Sequence, residues 1–172
     1  TLLFRKYLVI TLLLLLSACG WRPLYQGFDA GNAQTARVEV LPVPNYEGRL
    51  LTQQLKDNLN PSNFDVPKLY TLSVVIAEQV NSDQGILADN TSTRATMTIR
   101  ASFVLRDKKS GALLLQDGVF STASYNILMM PYSTVTAKQQ TKQRLLNVIA
   151  GQISNRIAAY FQSQEEITKD EN

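Results

Sequence analysis

The sequence predicts an α+β fold: a two-layer sandwich in which a four-stranded, mostly antiparallel sheet carries two helices on one face, in the order β-α-β-β-β-α. Three observations lead there. Residues 93–106 alternate along their whole length, with Ala95, Met97, Ile99, Ala101, Phe103 and Leu105 set against mostly polar neighbours, which is the period of a strand with one buried face. No stretch of helical spacing separates the three strand-like segments between residues 69 and 125, so they join as a meander of antiparallel neighbours. Two further segments repeat apolar residues every three or four positions, and such stripes need the apolar face of a sheet to cover them.

Element by element, the chain opens with a leader. Arg5-Lys6 precede an apolar run over 7–16 and the small residues Ser17 and Ala18, the order of an export signal, so residues 1–18 are expected to be removed. The run meets Cys19, Gly20 and Arg22 short of the ~20 apolar residues that a membrane span requires. Residues 19–35, rich in Gly, Asn and Gln, read as a lipidated N-terminus and tether, and 36–162 as a single domain. A short strand over 37–43 carries Val38 and Val40 and closes at Pro42-x-Pro44. The first helix takes Asn45 as its N-cap, Glu47 in its first turn, and Leu51, Leu55 and Leu59 as its stripe, and ends at Asn60-Pro61. In the strand over 69–79, Tyr70, Leu72, Val74 and Ile76 face one way and Thr71 and Ser73 the other. After 93–106 the turn Asp107-Lys108-Lys109-Ser110-Gly111 leads into a less regular returning strand over 112–125. The last helix begins at Thr136, where Thr136-x-x-Gln139 matches a capping box, and carries Leu145, Ile149, Ile153, Ile157 and Phe161. Residues 163–172 read as a polar, disordered tail.

Charge and composition narrow the function. The chain has 17 basic and 14 acidic residues, but Arg5 and Lys6 belong to the leader, and the remaining 15 against 14 offer no electrostatic case for nucleic acid. With no histidine and one cysteine, Ser-His-Asp and Cys-His catalysis and histidine zinc sites are excluded. No Ser-x-x-Lys, Gly-x-Ser-x-Gly or phosphate-loop pattern occurs. Glu39 and Glu47 flank the Pro-x-Pro turn as a formal carboxylate pair, yet solvated charges at element ends are the plainer reading. The expectation is a non-enzyme with no metal and no cofactor.

Three features are candidates for binding. Covering one sheet face with both helices leaves the other uncovered, with Thr71, Ser73, Thr96, Thr98 and Ser102 among Arg94, Arg100 and Arg106. Residues 127–132, Ile-Leu-Met-Met-Pro-Tyr, form a continuous apolar stretch where a loop should be polar, and Ile127, Met129, Met130 and Tyr132, together with Tyr125, are candidate partner contacts. Lys138 and Lys142 stand one turn apart near the helix start, where the dipole disfavours cations. Lys142 shares the otherwise apolar face of Leu146, Ile149 and Ile153, so it either snorkels past the sheet edge or meets an anion.

Leu16-Ser17-Ala18-Cys19 resembles the bacterial lipobox, which implies an acylated cysteine: a diacylglyceryl group on Cys19 with an N-acyl chain, a membrane anchor of two or more chains. Gly20 after the cysteine resembles the outer-membrane class of such lipoproteins. The lipobox, the following Trp21-Arg22-Pro23-Leu24-Tyr25, the element order, Ala123-Ser124-Tyr125-Asn126 and Arg156-Ile157-Ala158-Ala159-Tyr160-Phe161 together resemble the lipopolysaccharide-assembly lipoproteins, the LptE family. That resemblance spans most of the chain after the leader. It implies an outer-membrane lipoprotein on the periplasmic side, seated as a plug inside an LptD-type β-barrel translocon, helping that barrel assemble and lipopolysaccharide reach the cell surface. Residues 21–25 would then be the stalk holding the plug near the membrane. It also implies lipopolysaccharide binding through basic residues, for which Arg94, Arg100, Lys138 and Lys142 are the candidates on face and spacing. The alternative is an accessory lipoprotein of an envelope phospholipid transporter.

Overall fold

A computed structural model describes residues 31–86, 92–127 and 131–170. Its sheet is built from β1 (Val38–Val40), β2 (Tyr70–Ile86), β3 (Ser92–Asp107) and β4 (Leu113–Asn126), hydrogen-bonded in that spatial order. β1 runs parallel to β2, and the other two pairings are antiparallel. The helices are α1 (Gly31–Ala36), α2 (Asn45–Leu59) and α3 (Pro131–Asp170). The α+β sandwich expected from the periodicities is the observed fold.

β3 organises the core because its alternation is complete and it is paired on both sides. Its six apolar residues from Ala95 to Leu105 are all buried. Across the sheet they meet apolar partners in register, Leu72 opposite Leu105, Val74 opposite Phe103 and Val119 opposite Ala101. α2 lays Leu51, Leu55 and Leu59 onto this face. α3 adds Leu145, Leu146, Ile149, Ala150, Ile153, Ile157 and Phe161, a row at helical spacing buried along its length. The row ends on aromatic contacts: the Phe161 ring centroid lies 4.9 Å from that of Tyr70 and 5.5 Å from that of Tyr160. The β3–β4 turn forms as expected. Asp107 Oδ1 accepts from the N–H groups of Lys109 and Ser110 and from the Ser110 hydroxyl, while Gly111 supplies the positive φ of 72°.

Several boundaries differ from the sequence reading, each for a local reason. α1 occupies part of the stretch read as tether, and its last turn closes through the Arg37 N–H on the Gln34 carbonyl. Asn45 is not an N-cap: Pro44 holds that position without a side-chain cap, and Asn45 sits inside the helix at φ 71°. Thr52 orders this entry instead, its hydroxyl accepting from the Val43 N–H at 3.2 Å and donating to the Gly48 carbonyl at 2.8 Å. β2 runs on to Ile86 through an irregularity between Asn81 and Gln84, past the end of its apolar alternation. α3 starts at Pro131, whose missing N–H costs nothing in a first turn, so Thr136 lies inside the helix and donates to the Tyr132 carbonyl at 3.1 Å. The same helix continues to Asp170, through residues read as a disordered tail, where Gln164, Glu165, Glu166 and Lys169 are good helix formers.

Gly48 is required for space. A Cβ there would stand 2.6 Å from the Val43 carbonyl oxygen and 2.7 Å from Val43 Cγ1. In an open helix Gly→Ala gains about 1 kcal/mol of propensity, but here the backbone of Val43 has to move. Gly48→Ala is therefore expected to lower stability by about 1–3 kcal/mol, read as a lower urea midpoint at unchanged slope. A raised midpoint would contradict the close approach.

Candidate functional site

The helices cover one side of the sheet, and among the described residues nothing covers the other, a surface whose composition follows from register. Thr71, Ser73, Val75 and Ala77 of β2 stand opposite Arg106, Val104, Ser102 and Arg100 of β3. β3 in turn sets Thr96, Thr98, Arg100 and Ser102 opposite Ser124, Thr122, Phe120 and Gly118 of β4. Two of these rows are closed by hydroxyl pairs, Thr96 with Ser124 at 3.1 Å and Thr98 with Thr122 at 2.9 Å. The middle of the face is apolar. Val75 is 68% and Phe120 65% exposed, and Gly118, lacking a side chain, leaves a shallow depression between them that Arg100 borders. Sequence reasoning described this face by its hydroxyls and arginines and passed over Val75 and Phe120. The out-facing position of Val75 was available from the alternation, whereas Phe120 lies on the strand with the least regular pattern.

The basic candidates do not converge. Arg94 and Arg100 are exposed on the uncovered face, six residues apart on β3, roughly 20 Å along the strand. Lys138 is exposed on α3, in the helical layer. Lys142 is spent inside the molecule. Its ammonium lies 3.1 Å from Glu47 Oε1 and 2.8 Å from Glu78 Oε2, with its side chain only 12% exposed. The anion it meets is therefore its own chain's, and the triad ties α2, β2 and α3 together. Burial, the largest single influence on Lys142, pulls its pKa down, but the hydrogen bonds and charges of Glu78 and Glu47 together raise it above the ordinary 10.5. Glu47 is held below its ordinary 4.5, first by its own backbone N–H and then by Lys142. Glu39 is likewise held below 4.5 by the hydrogen bond and charge of Lys108, at 2.6 Å. Glu39 and Glu47 thus each answer a different lysine.

Of the partner-contact candidates, Tyr125 is half-buried against the core and Ile127 is half-buried just past β4. Tyr132 is 84% exposed in the first turn of α3, with exposed Val135 one turn on. Met129, Met130 and Cys19 lie outside the described residues. Among the described residues, no helix is long and apolar enough to cross a membrane, and no group of three or more His, Cys, Asp or Glu side chains is placed to hold a metal ion.

The sequence pattern of the lipopolysaccharide-assembly family, LptE, matches residues 35–160, from the end of α1 to the last turns of the buried α3 row. The chain belongs to the LptE family. Solved structures share its fold. A Caulobacter crescentus CB15 chain described as a lipoprotein is 23% identical, with 77% of this chain and 96% of that one covered at a TM-score of 0.63. The rare lipoprotein B of Shewanella oneidensis is 9% identical over 74% of this chain and 96% of its own, at 0.59. The minor lipoprotein of Acinetobacter baumannii is 19% identical over 71% and 88%, at 0.51. Comparison with curated proteins returns no match. In this LptE-family chain the matched span contains the whole uncovered face from Thr71 to Ser124.

The Lys142 triad has a measurable signature. Lys142→Met leaves Glu47 and Glu78 partly buried without their cation, and is expected to cost about 2 kcal/mol, below the ~3–5 of a fully buried pair because both carboxylates keep about a third of their surface in water. A carboxylate with a lowered pKa stabilises the fold above its ordinary value and loses that contribution as pH falls through the lowered one. An amine with a raised pKa stabilises below its ordinary value and loses the contribution as pH rises through the raised one. Thermal midpoints are thus expected to fall below pH 4.5 and above pH 10.5, and Lys142→Met to weaken both limbs.

Proposed function

We propose that this chain is an outer-membrane lipoprotein, anchored through acyl chains on Cys19, that sits as a plug in an LptD-type β-barrel, supports assembly of that barrel and assists delivery of lipopolysaccharide to the cell surface. The observation that carries the reading is the family match across the folded domain, joined to a sheet face that the domain's own helices leave uncovered. A barrel lumen is polar, because lipid-facing and lumen-facing residues alternate, and the threonine and serine rows of this face suit such a surface. The apolar centre at Val75 and Phe120 supplies a desolvated contact inside a polar rim, the arrangement of a protein interface. Tyr132 and Val135 offer a second exposed apolar contact at the start of α3. No catalytic step is assigned.

Purification of the lipidated protein in mild detergent tests the partner. A stoichiometric, heat-modifiable barrel is expected to accompany it, and Val75→Asp with Phe120→Asp is expected to abolish that association without shifting the thermal midpoint, since both side chains are exposed. A phospholipid transport complex in place of the barrel would favour the accessory-lipoprotein alternative.

For lipopolysaccharide itself the proposed contacts are Arg94, Arg100 and Lys138, whose charges suit the phosphate groups of lipid A. Lys142 is left out, because two carboxylates already occupy it. Reversal of the three charges to glutamate is expected to weaken binding of purified lipopolysaccharide about tenfold or more, the loss of at least one charge-assisted contact. Binding as tight as the parent's would remove these residues from the site.

A further inference from the structure

β4 is the last strand of the sheet, paired with β3 on one side and with no described strand on the other. Its pairing from Gly118 to Asn126 runs without a shift in register, so the direction of its backbone groups alternates strictly. The phase is fixed at Gly118, whose N–H donates to Oδ1 of its neighbour Asp117 at 2.6 Å and so points away from β3. Phe120, Thr122, Ser124 and Asn126, at every second position beyond it, turn their N–H and C=O groups to the same open side. Among the described residues no backbone group meets them there.

Sheets blunt such edges with charged side chains, proline, bulges or a covering segment. Residues 118–126 contain no charge and no proline, and their register carries no bulge. A groove of about 290 Å³ opens beside the far end of this edge, with Ser124, Tyr125 and Asn126 on one wall and Gln140, Thr141 and Arg144 of α3 on the other. The one charged residue lining it is Arg144, exposed and without an ion pair among the described residues. The sheet's other open edge, β2 beyond Leu72, differs on this point. Its groove is lined by Glu47 and Glu78, and Lys142 already answers both.

A row of backbone donors and acceptors at strand spacing is matched by another polypeptide backbone, and a lone arginine at one end of it by a carboxylate. We propose that β4 is a docking edge for an extended segment of a protein partner, which adds as an antiparallel fifth strand over Phe120 to Asn126 and sets an acidic side chain on Arg144. Antiparallel addition puts that acidic residue at the segment's N-terminal end, because Arg144 lies beside the last residues of β4. The edge uses the backbone of β4 and the uncovered face its side chains, so this inference holds or fails apart from the barrel reading.

The probe is the capped peptide acetyl-Asp-Thr-Val-Thr-Val-Thr-Val-amide, titrated into the full chain in mild detergent with amide exchange read residue by residue. Exchange at Phe120, Thr122 and Ser124 is expected to slow several-fold, while the open edge of β2 stays unchanged. A peptide with lysine in place of the aspartate is expected to bind about tenfold more weakly, and Arg144→Glu, at an exposed side chain, to weaken the aspartate peptide as much. Ser124→Pro removes an outward N–H and is expected to abolish binding with circular dichroism unchanged, whereas Ala123→Pro removes a ladder N–H and should lower the thermal midpoint. The proposal is overturned by any of three results: no slowing at the β4 edge, slowing that Arg144→Glu leaves untouched, or slowing that grows with protein concentration in the peptide's absence, as a second copy would give.

Discussion

One stripe of six side chains, every second residue of β3 from Ala95 to Leu105, has to leave water, and the rest of the molecule is arranged around that requirement. Burial of aliphatic and aromatic side chains contributes about 1.5–3 kcal/mol each, so no single polar contact in the domain rivals the stripe taken together. The neighbouring strands extend it sideways through Leu72, Val74 and Val119, and α2 and α3 close over it. With both helices drawn to one side, no described element covers the other side of the sheet. The uncovered face is thus a consequence of how the core is satisfied.

Polar interactions in the fold act mainly as ties between elements. Lys108 in the β3–β4 turn reaches Glu39 on β1, two strands away in the sheet. Arg156 of α3 meets Asp117 of β4, and Lys142 gathers Glu47 and Glu78 from α2 and β2. Each joins segments that apolar packing alone would allow to slide. Lys142 is the most buried of these cations and also the one with two carboxylates, as the cost of taking an ammonium out of water requires.

Legibility in the sequence tracked how much of the signal was local. The alternation of β3, the leucine spacing of α2 and the isoleucine row of α3 are repeated many times within one segment, and all three were readable. Asn45 was misread because a residue type favoured at caps carries no information about its φ, and here Thr52, seven residues on, orders the helix entry. The second half of β2 has no apolar alternation, so its strand character comes from pairing with β3, which a linear reading cannot see. The fate of Lys142 depended on Glu47 and Glu78, 95 and 64 residues away in sequence. Phe120 on the polar face followed the same rule: only its register opposite Arg100 reveals which way it points.

The topology also sets an order of assembly. β2, β3, β4 and α3 each pack on the element next to them in sequence, so loop closure costs little there. β1 is different: its pairing with Tyr70 to Leu72 is parallel and waits for all of α2 and the turn after it. A chain emerging from its N-terminus therefore presents β1 and α2 before the strands they need exist, and the core is sealed only when α3, which follows all four strands, arrives. Until then the β3 stripe has only α2 to cover it.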